Sequence, residues 1–131
     1  MKNDNKILRS QAIKASQLAY APYSKVQVGC ALLTSKGKIF TGQNIENSSY
    51  GATVCAERVA IFTAINSGEM KIKKIYIYTQ NGWPPCGICR QVMSEFASKK
   101  LTVIIGNKKG EEKIMSLNEI FPLAFTPDHL K

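Results

Sequence analysis

Residues 72–115 read IKKIYIYTQNGWPPCGICRQVMSEFASKKLTVIIGNKKGEEKIM, a stretch whose pattern passes from strand to helix to hairpin. Ile72–Thr79 is rich in β-branched and aromatic residues, which favour a half-buried pleated surface, so it reads as a strand. Gly82-Trp-Pro-Pro then makes an ordered loop, because proline fixes the backbone and cannot continue a ladder. Cys86–Ala97 predicts a helix and Leu101–Ile105 a further strand. Asn107-Lys-Lys-Gly110 is a turn and Glu112–Met115 the return strand, so the last two strands form an antiparallel hairpin.

Working outward, Ser116-Leu-Asn-Glu119 has the spacing of a capping box and starts a short last helix. Upstream, Ile7, Leu8, Ala12, Ala15, Leu18 and Ala19 recur at helical spacing, which predicts a helix over 4–20 capped by Asp4. Ala21-Pro-Tyr-Ser breaks that pattern. Val26–Leu33 reads as a strand, Ser35-Lys-Gly-Lys as a turn, and Lys38–Thr41 as the returning strand. Asn44–Tyr50 is a polar loop, and Cys55–Ile65 a second helix ended by Ser67-Gly68. The order αββαβαββα implies one sheet covered by helices: a three-layer α/β/α domain spanning 1–131.

The composition is that of a globular domain, with 44% hydrophobic and 21% charged residues, which argues against disorder. A chain of 131 residues buries roughly two-thirds of its unfolded surface, enough for a core of its own. Its apolar runs are too short to span a bilayer, and the polar start Met1-Lys-Asn-Asp-Asn-Lys predicts no secretory signal. The expected location is the cytoplasm, where Cys30, Cys55, Cys86 and Cys89 stay reduced and clustered thiols serve as ligands or catalytic groups. The net charge of +9 raises the question of a nucleic-acid partner, but the lysines are scattered, as at Lys71, Lys99 and Lys108. Charge of this kind speaks to encounter and solubility, and no nucleic acid is expected.

Two helix starts carry the chemistry: Cys55-Ala-Glu57 opens one and Pro85-Cys-Gly-Ile-Cys89 the other. A Cys-x-x-Cys pair alone also suits a redox centre or structural zinc. With Cys55 added there are three thiolates, and three protein ligands with an open fourth position define a catalytic zinc site. Cys30, within Val-Gly-Cys-Ala-Leu, is most simply a small core residue, and His129 a tail residue. Glu57 lies one step around the helix from Cys55 and can face a zinc-activated water without binding the metal, which suits general acid–base work. The same ligand-x-Glu with a distant Pro-Cys-x-x-Cys is the signature of zinc deaminases. Three thiolates over-neutralise Zn²⁺, and Arg58 is the cation placed to offset them.

At these residues the chain resembles the homotetrameric, free-nucleoside cytidine deaminases. The resemblance runs through Tyr20-Ala-Pro-Tyr-Ser-Lys25, Gly42-Gln-Asn-Ile-Glu-Asn47, Cys55-Ala-Glu-Arg58, Pro85-Cys-Gly-Ile-Cys-Arg-Gln-Val-Met-Ser-Glu95 and Phe121-Pro-Leu-Ala-Phe125. It implies a mixed five-stranded sheet and one zinc per chain. It also implies hydrolysis of cytidine and 2'-deoxycytidine to the uridine products and ammonia, in pyrimidine salvage. Zinc-bound hydroxide would attack C4, with Glu57 moving the protons. Asn44 and Glu46 would hold the ribose 3'-hydroxyl, the Ala56 N–H the base O2, and the Pro84 carbonyl the 4-amino group. Ser48, Tyr50 and Phe125 would reach a site from neighbouring subunits. Val26 stands where the family usually has a phenylalanine beside the base, Leu123 where a glycine is usual, and Ile88 where a small residue is usual. Trp83-Pro84 replaces a smaller or more polar lead-in, and proline keeps its carbonyl.

Three other readings compete. A nucleic-acid-editing deaminase would fit the charge, but Cys55 holds a place usually taken by histidine, and the Asn107–Gly110 hairpin excludes a parallel last pair. A blasticidin-type deaminase is disfavoured by Asn44-Ile-Glu-Asn47, which suits an ordinary ribose. A zinc-stabilised binding module would need neither Glu57 nor an open coordination position.

Overall fold

The computed structural model describes residues 2–131. Helix α1 (Lys2–Ser16) leads into a hairpin of β1 (Gly29–Thr34) and β2 (Ile39–Gln43). There follow α2 (Ala56–Asn66), β3 (Ile72–Tyr78), α3 (Gly87–Phe96), β4 (Ala97–Gly106), β5 (Glu112–Ser116) and the short α4 (Leu117–Ile120). The five strands form one mixed sheet in the order β2-β1-β3-β4-β5. Strands β3 and β4 are parallel, joined by the α3 crossover, and every other pair is antiparallel, β4 with β5 included. The expected element order and the mixed α/β/α layering therefore both hold.

Alternation along the strands builds two cores. Cys30, Leu32, Ile75, Ile77, Val103 and Ile105 point to one face and pack with Ala60, Ile61, Ala64 of α2 and Cys89, Met93 of α3. Ala31, Leu33, Tyr76 and Ile104 point to the other and pack against Leu8 and Ala12 of α1. Two glycines set how closely the helices approach. A Cβ on Gly29 would lie 1.8 Å from the Ala12 carbonyl oxygen, and one on Gly42 would lie 2.4 Å from the Ala60 backbone nitrogen. Gly42 thus lets α2 press onto the hairpin and fixes where its N-terminus meets the sheet.

Helix boundaries differ from expectation in ways the chain explains. Asp4 lies inside the first turn of α1 rather than capping it. The helix ends at Ser16, whose hydroxyl donates back to the Ile13 carbonyl at 2.6 Å, and tighter i→i+3 bonds such as Leu18 N–H to Ala15 O follow. Ser116 and Glu119 form the expected capping box.

Candidate metal and catalytic centre

Both cysteine-bearing segments place a thiol at a helix N-terminus. Cys55 is the N-cap of α2 and Cys86 the N-cap of α3, with Cys89 in the first turn of α3. Partial positive charge at each helix start stabilises thiolates. The three Sγ atoms lie within 4.8 Å of one another, and Cys55 and Cys86 are 3.8 Å apart. A tetrahedral zinc with Zn–S bonds of about 2.3 Å holds its sulfurs about 3.8 Å apart, so the cluster fits the ion, whereas a disulfide needs about 2.05 Å. The fourth cysteine, Cys30, lies fully buried in the core, and burial raises its thiol well above the ordinary value.

Charge around the sulfurs is arranged for anions. Arg58 Nη2 donates to Cys55 Sγ at 3.5 Å, and this contact holds the guanidinium more firmly protonated. Its Nε is buried without a hydrogen-bond partner among the described residues. The Cys55 thiol is drawn down to about 5, chiefly by a hydrogen bond from Cys89, while Cys89 is driven up by the same bond and by burial.

Glu57 is only 4% exposed, and burial is the main cause of its carboxyl being pushed up to about 7. The neighbouring Cys55 charge raises it further, while its own backbone N–H, Cys89 and Arg58 oppose the shift. A carboxyl poised there exchanges protons readily near neutral pH. It lines a cavity of about 340 Å³ together with Cys55, Ala56, Pro84 and Cys86. Val26, Asn44 and Glu46 stand on the same cavity, and Cys89 is fully buried. Ala56 is the first residue of α2, where backbone N–H groups have no intrahelical acceptor.

Asn44 and Glu46, two apart on an extended segment, both face this cavity and also build it. Asn44 accepts from the Val28 N–H at 3.0 Å and donates to the Val26 carbonyl at 2.8 Å. Glu46 accepts from the backbone N–H groups of Tyr23 and Ser24 at 3.0 and 3.1 Å and from the Ser24 hydroxyl. These bonds, with those of Ser24 foremost, hold its carboxyl below the usual range. Lys25 takes a left-handed backbone, φ 63°, which turns the chain between Ser24 and Val26, both of which line the site.

Three expected substrate contacts stand apart. Tyr50 lies in an adjoining cavity of about 300 Å³ with Glu46 and Ser24 of its own chain. Ser48 is exposed, and Phe125 is half-exposed and stacked on His129 at 5.4 Å; neither is among the described residues lining the 340 Å³ cavity. His129 is exposed, as expected, and its ring closes a cap with Thr126. Leu123 has φ 54°, the conformation that favours glycine, and is fully exposed.

A protein-family model described as the cytidine and deoxycytidylate deaminase zinc-binding region matches residues 1–105. A cytidine deaminase from Halalkalibacterium halodurans is 43% identical over 129 residues, covering 97% of this chain and 98% of that one. The chain belongs to the cytidine deaminase family. A Sporosarcina psychrophila cytidine deaminase is 41% identical over 94% of this chain and 92% of that one. The crystal structure of cytidine deaminase from Burkholderia pseudomallei superposes with a TM-score of 0.88 at 40% identity, covering 92% of this chain and 98% of that one. As a member of this family the chain is a zinc-dependent enzyme, and the three thiols are positioned for one zinc ion.

Sequence reasoning passed over residues that shape the site. Ser24 anchors Glu46, Thr53 and Thr79 line the cavity, and Arg90 donates to the Pro85 carbonyl at 2.8 Å and the Ile120 carbonyl at 2.7 Å. Ser24 and Arg90 lie inside matched segments beside residues with obvious chemistry, which was the available signal. Thr53 and Thr79 carried none. Among the described residues no helix is long and apolar enough to cross a membrane.

Proposed function

We propose that the chain, as one domain over 1–131, hydrolyses cytidine and 2'-deoxycytidine to uridine and 2'-deoxyuridine with release of ammonia. The observation that carries this is a buried carboxyl, Glu57, on the same cavity as a thiol cluster of zinc dimensions. Cys55, Cys86 and Cys89 would hold zinc, which supplies the Lewis acidity that brings water within reach of deprotonation near neutral pH. Arg58 offsets the excess thiolate charge. The Ala56 N–H donates to the base O2 and the Pro84 carbonyl accepts from the 4-amino group, which together orient C4.

Glu57 takes a proton from the attacking water and gives it to N3. The water oxygen bonds to C4. Glu57 then takes the remaining hydroxyl proton and delivers it to the 4-amino nitrogen. The C4–N bond breaks, ammonia leaves, and the oxygen now on C4 becomes the uracil 4-carbonyl. Asn44 still has a second amide hydrogen for the ribose 3'-hydroxyl after its bond to Val26, and Glu46 is kept ionised by Ser24 as an acceptor. Val26 gives the base an aliphatic wall.

The remaining wall comes from neighbours in a homotetramer, through Ser48, Tyr50 and Phe125. The exposure of Tyr50, 75%, and Phe125, 55%, is compatible with burial between subunits. Binding sites usually enclose most of a small ligand. The enzyme acts in the cytoplasm, in pyrimidine salvage, where its free thiols stay reduced. Its substrate is a free nucleoside rather than a nucleic acid, and no membrane is involved.

Purified protein with cytidine or deoxycytidine should lose substrate absorbance and release one ammonia per nucleoside; no reaction with either would refute the reading. Light scattering should give a tetramer. Co-expressed Glu57→Gln and Phe125→Ala chains, each strongly impaired alone, should recover activity in mixed sites, and a fully active monomer would refute the shared wall.

A further inference from the structure

The loop that delivers Cys86 has few hydrogen bonds of its own. Pro84 and Pro85 carry no N–H, and each fixes its own φ. Pro84 also precedes a proline, which narrows its ψ. Upstream, the Trp83 N–H donates to Thr79 Oγ1 at 2.7 Å. The freest torsion before Cys86 is therefore ψ of Pro85. It turns the Pro85 carbonyl and, with it, sets the Cys86 backbone and thiol against the Pro84 carbonyl.

One residue pins that torsion. Arg90 Nε donates to the Pro85 carbonyl at 2.8 Å, and the Arg90 backbone N–H donates to the Cys86 carbonyl at 3.0 Å. The carbonyls on both sides of the Cys86 Cα are thus held by the same residue. The far side of the guanidinium is braced: Nη1 donates at 2.7 Å to the carbonyl of Ile120, the last residue of α4, where helix carbonyls lack an intrahelical partner. Pro85 is buried and Arg90 half-buried. The Pro84 carbonyl, by contrast, accepts no hydrogen bond among the described residues.

We infer that Arg90 is a positioning residue for the zinc centre: braced on Ile120, it sets the angle at which Cys86 enters the thiol cluster and the aim of the Pro84 carbonyl. The aim of that carbonyl matters only under the proposed cytidine reading, on which this part rests; the entry of Cys86 matters to zinc whatever the substrate. A guanidinium suits the task, because its planar fork spans two carbonyls in a fixed geometry and a single ammonium does not.

The test sets Arg90→Met, which keeps the stem and removes the side-chain donors, beside Gln91→Ala. Gln91 Nε2 donates to the Phe125 carbonyl at 2.9 Å, so its loss loosens the same C-terminal segment without touching the cysteine loop. Zinc release to a chromogenic chelator should be faster in Arg90→Met by about tenfold or more, the scale on which residues that orient metal ligands act. The thiolate–cobalt absorption of the Co²⁺-loaded protein should shift in Arg90→Met and not in Gln91→Ala. With cytidine, kcat should fall by more than KM changes, since Asn44 and Glu46, proposed for the ribose, are untouched. Arg90→Lys keeps the charge but not the fork and should also release zinc faster than wild type. Wild-type release and an unshifted cobalt spectrum in Arg90→Met, or in Arg90→Lys if the methionine variant does not fold, would overturn the inference, as would equal acceleration by Gln91→Ala. A wild type inactive on cytidine would instead remove the cytidine reading and leave the zinc-release result standing.

Discussion

The two faces of the sheet each carry a partly buried polar cluster, and the clusters differ in how completely they are satisfied. On the α1 face the Tyr76 hydroxyl accepts from Arg9 Nη1 at 2.9 Å and donates to Glu112. Arg9 Nη2 donates to the Asn107 carbonyl at 2.9 Å, and the guanidinium lies 5.5 Å from the centre of the Tyr78 ring. Burial, then the Glu112 carboxylate, push the Tyr76 hydroxyl up to about 12, so it stays protonated and inert. On the α2–α3 face three thiols converge, a carboxyl is buried beside them, and a guanidinium nitrogen has no partner among the described residues. A closed network ties α1 to β3 and to the β4–β5 hairpin, and its product is rigidity. An open one, with convergent ligands and unmet hydrogen-bonding capacity, is arranged for something that arrives from outside.

The sharpest way to break this contrast is Cys86→Ala. Two thiols do not make a zinc site of this kind, so zinc content should collapse and turnover disappear; full zinc occupancy in that variant, measured by atomic absorption, would remove Cys86 from the ligand set. Arg58→Ala should act more gently, leaving thiolate charge uncompensated and weakening zinc retention against a chelator or lowering turnover. Wild-type values for both would make Arg58 a bystander. On the other face, Tyr76→Phe should cost about 1–2 kcal/mol in a denaturant melt, since Arg9 loses its acceptor. Turnover per folded molecule should hold. A catalytic collapse there would mean that the faces are not separable.

The smallest effect is expected from Ser24→Ala. Glu46 has a depressed folded pKa, so its contribution to stability is present above its usual value of 4.5 and is lost as pH falls through the folded value. Without the Ser24 hydroxyl the folded pKa moves back up. Wild type should therefore be the more stable at pH 7, with the gap closing in strong acid. A gap that does not change with pH would assign the loss to packing.

The helices and strands were legible because periodicity and turn residues are local. The thiol cluster was legible because its ligands sit at helix starts that the sequence marks. Features set by distant partners were not. The strand expected from Val26 begins only at Gly29, since Val26 and Val28 spend backbone groups on the Asn44 side chain. Similarly, β4 starts at Ala97 rather than Leu101, because Ala97 pairs with Ile72 across the parallel ladder. Both depend on partners distant in sequence. The same reason hides the Ser24–Glu46 clamp and the Arg9–Tyr76–Glu112 network, whose members are ordinary residues until the fold brings them together.

We propose that the open face is catalytic through Glu57 and not only a place where metal binds. Glu57→Gln keeps the size and most of the hydrogen bonding of the side chain but cannot carry a proton, so zinc per chain and cytidine turnover measured on one preparation separate the two roles. Wild-type zinc content is expected, with turnover lower by at least about 10²-fold. Turnover near wild type, with zinc still bound, would contradict it.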